Sequence, residues 1–124
     1  MNQEEIMSAL PQFTCTENWY KFSPLSPNLM TDGAKFVADN CGAYWLMDAI
    51  ASYQHSRSVS KENFQVWTLK KKEDGTWTLS MHDGNNNHII KQKIPYSDFP
   101  LDEITIWAER NDLFGVTLLL PSEH

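Results

Sequence analysis

The chain is predicted to be α+β, with an antiparallel sheet of about five strands packed on one side against a helical block and a short N-terminal helix nearby. Three observations predict it. Between Thr31 and Gln54 the apolar residues recur at helical spacing. From Phe64 onward the period shortens to simple alternation. Turn signals then punctuate the second half: Asp74-Gly75, the run Asp83-Gly84-Asn85-Asn86-Asn87, and Asn111-Asp112 with Gly115. A chain of 124 residues with 41% hydrophobic side chains and five tryptophans has ample apolar material to offset its chain entropy, so one domain spanning 1–124 is expected.

Taken in order, Asn2 followed by Glu5 has the spacing of a capping box, Ile6, Met7 and Leu10 supply a short apolar face, and Pro11 stops the run. The stretch Phe13 to Met30 reads as a loop with aromatic anchors at Trp19, Tyr20 and Phe22, because Pro24 and Pro27 punctuate it. Thr31 is placed to cap the next helix and Asp32 to complement its positive end, while Ala34, Val37, Ala38 and Cys41 form a buried stripe. Asp39 and Asn40 suit a helix start better than a helix end, so a break near Asn40 with a fresh helix from Cys41 is expected, one bent helix being the alternative. From Ala43 to Gln54 apolar residues run almost all the way round, interrupted by the polar stripe Asp48, Ser52 and His55. That helix should be mostly enclosed.

After a linker, SRSVSKEN, the strands are expected at Phe64–Lys71, Thr76–His82, His88–Ile94, Glu103–Arg110 and Val116–Leu120. The clean alternation of Trp77, Leu79 and Met81 against Thr78, Ser80 and His82 gives one strand a dry face and a wet one. The last run, VTLLL, is apolar on both sides and suits an internal position in the sheet. Between Ile94 and Glu103 the segment PYSDFPLD is a crossing loop.

Charge and composition remove several classes of function. A formal charge of -6 opposes sequence-independent phosphate binding, so no nucleic-acid partner is expected, and the cluster Lys70-Lys71-Lys72 beside Glu73 and Asp74 reads as a solvated turn. The N-terminus has neither a basic region nor a long apolar run, which predicts no membrane anchor and a cytoplasmic location. Cys15 and Cys41 are then free thiols.

Cys41 is the sharpest chemical candidate, since a thiol in the first turn of a helix feels the helix dipole. With His82 or His88 on later strands, the order matches the plan of papain-like cysteine hydrolases, and Cys41-Gly42-Ala43-Tyr44-Trp45 has something of their look. The correspondence fails at the nucleophile, where this chain has Tyr44. Cys41 also continues an apolar stripe, the usual setting of a small buried hydrophobe. His55, His82, His88 and His124 make no HxxxH pair and there is no CxxC, so no metal is expected. The glycines form no phosphate-binding or nucleophile-elbow motif, and no cofactor is expected. Trp67 and Trp107 lie on alternations that leave one side ambiguous, which makes them the candidates for an exposed partner or oligomer surface.

Several strings together, TDG-KF-AD, GAYWL-D-IASYQ at Gly42 to Gln54, FQVWTL, DFPLDEI and the ending LLLPSEH, resemble a family of small uncharacterised bacterial and mobile-element proteins. The resemblance spans nearly the whole chain and implies no activity, cofactor or site. It implies that the segment from Gly42 to Gln54 is the helix on which the sheet packs, with Gly42 permitting close backbone approach. The reading that follows is a noncatalytic accessory or interaction module with an unknown protein partner or a homo-oligomer. The alternatives are a small Cys-His hydrolase using Cys41 with His82 or His88, and an inhibitor protein of mobile-element origin.

Overall fold

A computed structural model describes residues 1–124 and shows an α+β fold: one seven-stranded mixed sheet and four helices. The helices are α1 (Gln3–Ala9), α2 (Asp32–Asn40), α3 (Tyr44–Tyr53) and α4 (Arg57–Ser60). The strands are β1 (Trp19–Lys21), β2 (Leu29–Thr31), β3 (Phe64–Lys71), β4 (Trp77–His82), β5 (His88–Ile94), β6 (Glu103–Arg110) and β7 (Val116–Leu119). The sheet runs β1-β2-β7-β6-β3-β4-β5. No helix is long and apolar enough to cross a membrane.

The five expected strands are present within one residue at each end, and β7 is internal, between β6 and β2. Two further strands correct the five-strand count. Trp19–Lys21 pairs antiparallel with Leu29–Thr31, which pairs parallel with Val116–Leu119, so the stretch taken for a loop completes the sheet and the sheet is not purely antiparallel. Three residues are too few to display alternation, and the tertiary partner is what makes them strands. Their position is set by side chains. Asn28 Oδ1 accepts the Val116 N–H at 3.0 Å and Asn111 Nδ2 donates to the Pro27 carbonyl at 2.9 Å, locking the β1–β2 turn onto the β6–β7 turn. Gly115 has no Cβ because one would run into the Pro27 carbonyl. The linker after Gln54 also holds an unexpected element, α4, whose single turn buries Val59.

α1 carries the predicted capping box, with the Glu5 N–H donating to Asn2 Oδ1 at 2.8 Å, and buries Ile6. α2 starts at the predicted cap, Thr31 Oγ1 accepting the Ala34 N–H, and breaks at Asn40 as expected, but the next helix does not start at Cys41. Asn40 is its last residue, Cys41 closes it, and α3 begins only at Tyr44. The break is a Schellman arrangement in which Gly42 is left-handed, at φ 58°, and the Ala43 N–H reaches back to the Ala38 carbonyl at 3.1 Å. Nothing lies within 4 Å of where a Gly42 Cβ would sit, so this glycine serves the turn and not a close backbone approach.

The helices cover one face of the sheet. Ala34, Val37, Leu46, Met47, Ile50 and Val59 meet the alternate strand residues Trp67, Leu69, Leu79, Met81, Ile106 and Leu118 in one continuous core. The crossing loop from β5 to β6 adds Phe99 and Leu101, Phe99 edge-on to Trp77 with ring centroids 6.1 Å apart. Each buried tryptophan hides about 150–250 Å² and contributes roughly 4–6 kcal/mol gross at about 25 cal/mol/Å². One polar side chain sits fully inside this layer: Gln65, 0% exposed.

Candidate functional site

The sequence-derived candidates separate. Cys41 is 5% exposed in the core and sits at the C-terminal end of α2, donating its own N–H to the Val37 carbonyl at 2.9 Å. That is a correction to the helix-start position. The C-terminal end of a helix carries the negative pole, and burial pushes the Cys41 thiol up from its ordinary value, so both influences oppose a thiolate. His82 alternates with Met81 and therefore points to the opposite side of the sheet from Cys41. Its Nδ1 accepts the Gly84 N–H at 3.1 Å, and its ring lies 5.7 Å from that of His88 across the β4–β5 turn. The two histidines meet each other; neither meets the thiol. No group of three or more His, Cys, Asp or Glu side chains is placed to hold a metal.

A labelling experiment reads this geometry directly. With iodoacetamide at neutral pH, exposed Cys15 is expected to be modified in the native protein and Cys41 only on unfolding, as seen by peptide mass mapping with and without urea. Equal rates for the two thiols in the native protein would show Cys41 open to solvent.

Trp67 is 1% exposed, with Nε1 donating to Gln65 Oε1 at 3.0 Å, so it is a core residue and no surface. Trp107 is half-buried on the uncovered side of the sheet. Phe64 and His124 each pack edge-on to it at 5.1 Å and lie 6.3 Å from each other, and His124 Nε2 approaches Glu109 Oε1 at 2.6 Å. These contacts cap one end of the uncovered face.

The TDG-KF-AD string is explained by anchoring. Thr31 Oγ1 donates to Glu123 Oε1 at 2.6 Å, and Glu123 Oε2 accepts the Gly33 N–H at 3.0 Å. Asp32 accepts the Glu17 N–H at 2.9 Å and the Tyr20 hydroxyl at 3.1 Å. Those bonds, the Glu17 N–H foremost, hold its carboxyl below the usual range, and the hydrogen bond to Asp32 pushes the Tyr20 hydroxyl up. Lys35 Nζ donates to the Tyr44 hydroxyl at 2.7 Å and to both Asp39 oxygens at 2.9 Å, while the Tyr44 hydroxyl donates to Asp39. Tyr44 first and Asp39 second raise the Lys35 ammonium, and Tyr44 and Lys35 lower the Asp39 carboxyl. A cleft of about 520 Å³ lies here with Cys15 at its rim, but its charges are spent on each other and on the helix.

The remaining surface is the other end of the uncovered face. A shallow trough of about 630 Å³ is lined by no hydrophobic residue; its walls are the lysines Lys70, Lys71, Lys72 and Lys91, the hydroxyls of Thr68, Thr78 and Ser80, and, at the turn, the carboxylates of Glu73 and Asp74. Register places it: Thr68, Ser80 and Lys91 are cross-strand neighbours, as are Lys70, Thr78 and Lys93. The sequence shows Lys70 to Lys72 as a turn and does not show that Lys91 and Lys93 join them, because that neighbourhood exists only once β4 pairs with β5. Five of the ten basic residues gather here: Lys70, Lys71, Lys72, Lys91 and Lys93. None is ion-paired, the Lys–carboxylate ion pair of the chain being Lys35–Asp39 and the remaining close contact of this kind a histidine–carboxylate one, His124–Glu109.

No curated protein and no solved structure was found to match the chain. A family model does, over residues 4–124, and the chain belongs to that family, DUF6876, a family of unknown function.

Proposed function

We propose that the protein is a noncatalytic binding module whose recognition surface is the uncovered face of its sheet. One observation carries the reading: helices cover one face only, and the other presents an open polar trough at one end and the aromatic group of Phe64, Trp107 and His124 at the other. A sheet face left bare in a chain with ample apolar material is a surface available to a partner. The nucleophile and base needed for a Cys-His hydrolase lie on opposite sides of the sheet, which leaves that alternative without a shared pocket. A cytoplasmic, bacterial and mobile-element setting belongs to the same proposal.

Photocrosslinking in living cells tests it. A crosslinking residue at Thr105, in the middle of the uncovered face, is expected to trap a discrete adduct, whereas one at Asp48, on the exposed side of α3, is not. Adducts from Asp48 and none from Thr105 would move the surface to the helices. Turnover of a thioester or peptide by purified protein, abolished in Cys41→Ala, would replace the binding reading with an enzymatic one.

A further inference from the structure

The trough carries a charge its surroundings do not explain. The chain is acidic by six charges, yet Lys70, Lys91 and Lys93 stand together on the uncovered face, with Lys72 in the turn at its end, and none of them makes an ion pair; Lys71 alternates to the other side, its Nζ 6.0 Å from the centre of the Trp77 ring. Two turn carboxylates, Glu73 and Asp74, line the trough without an ion pair to any of these lysines, and Asp74 is occupied by its own turn, accepting the Thr76 N–H at 2.9 Å and the Thr76 hydroxyl at 2.6 Å. Protection of an exposed edge accounts for lysines on β5, the last strand of the sheet, but not for Lys70 on β3, an interior strand. Between the lysines lie the hydroxyls of Thr68, Thr78 and Ser80, each of which can donate to an oxyanion.

Resting on the binding-module reading above, we infer that the occupant is an acidic segment of a protein partner, lying extended along the trough with its carboxylates on Lys70, Lys72, Lys91 and Lys93. Spacing supports an extended chain. Lys91 and Lys93 are two residues apart on one strand, about 7 Å, and Lys70 and Lys93 are two strands apart, about 10 Å. An extended peptide with acidic residues at every second position repeats at the same interval of about 7 Å. The chemistry favours carboxylates over a nucleic acid. Single strands are bound by stacking bases on aromatic rings, and this trough has none in its lining. It also lacks arginine, the side chain that grips phosphate with two parallel bonds, and the acidic remainder of the molecule repels a long polyanion.

The test uses the full chain with fluorescent poly-glutamate, oligo-thymidylate as a competing probe, and two double variants of equal charge change. Poly-glutamate is expected to bind saturably at low salt and to weaken as salt rises. Lys70→Glu with Lys91→Glu should weaken it by about tenfold or more, whereas Lys21→Glu with Lys61→Glu, away from the trough, should change it by no more than about twofold. Four results overturn the inference: no binding of poly-glutamate, equal losses in the two double variants, binding indifferent to salt, or oligo-thymidylate bound as tightly as poly-glutamate. Crosslinking from Thr105 to a partner alongside any of these would retain the uncovered face and reject only the acidic occupant. All four positions are exposed, and unchanged urea midpoints separate lost binding from lost fold.

Discussion

Replacing Gln65 by leucine is expected to destabilise the protein by about 3 kcal/mol, although the change is nearly volume-neutral and adds apolar surface to the core. The reason lies in what Gln65 serves. Its Nε2 donates to Gln54 Oε1 at 2.9 Å, to the Glu62 carbonyl at 3.1 Å and to the Val59 carbonyl at 3.2 Å. Its Oε1 accepts from Gln54 Nε2 at 2.8 Å and from the Trp67 indole at 3.0 Å. One amide thus ties the end of α3, the α4 turn and β3 together at the only place where a polar side chain sits wholly inside the helix layer. Leucine would leave the buried Trp67 indole N–H without its acceptor and Gln54 Oε1 without its donor, while Gln54 Nε2 keeps its bond to the Ile50 carbonyl at 3.1 Å, and each such orphan costs about 1–3 kcal/mol. Urea denaturation reads the effect: with a slope of about 1–3 kcal/mol/M, the midpoint should fall by about 1–3 M. Gln54→Leu should cost less, and the double variant should fall short of the summed costs by about 1 kcal/mol, because the amide pair is lost only once. A Gln65→Leu protein within about 0.5 kcal/mol of the parent would show the network to be idle.

Gln65 also marks where the sequence stops being legible. Strands β3 to β7 are readable because period-two alternation is a local property that one buried face imposes on every second residue. Gln65 occupies a buried-face position beside Trp67 and Leu69, and the string FQVWTL gives no hint that its amide is matched eleven residues earlier by Gln54. The short strands β1 and β2 are illegible for a related reason: three residues carry no period, and Pro24 and Pro27 state only that the chain turns. Asp39 and Asn40 mislead about Cys41. An acidic residue near a helix C-terminus is unfavourable in isolation, so a new helix start looked better there. Lys35 and Tyr44 neutralise Asp39, and the left-handed Gly42 ends the helix, which puts the thiol at the negative pole. Of the two tryptophans singled out for a surface, side-chain alternation in β3 sends Trp67 into the core, while the register of β6 leaves Trp107 on the uncovered face.

Substituting Gly33 by alanine is expected to change sign with its background, and this follows from the carboxylate of Glu123. A Cβ on Gly33 would lie 2.5 Å from Glu123 Oε1 and 2.7 Å from Leu120 Cδ1. In the parent protein it would therefore expel the carboxylate that accepts from Thr31 Oγ1, the Gly33 N–H and, at 2.9 Å, the Leu120 N–H. Those three bonds satisfy otherwise orphaned donors and set a negative charge at the positive end of α2. Losing them should cost about 2–3 kcal/mol, so Gly33→Ala and Glu123→Ala are each expected to destabilise by that amount. Once Glu123 is alanine, the main obstacle to a Cβ is gone and only the end of a flexible leucine has to move. Alanine then has the lower chain entropy to lose, an advantage over glycine of up to about 1 kcal/mol. Gly33→Ala should accordingly be neutral or stabilising in the Glu123→Ala protein, with a coupling of about 2 kcal/mol or more in a double-mutant cycle followed by urea denaturation. Additive costs would mean that Glu123 and Gly33 act separately, and that the C-terminal turn does not hold α2.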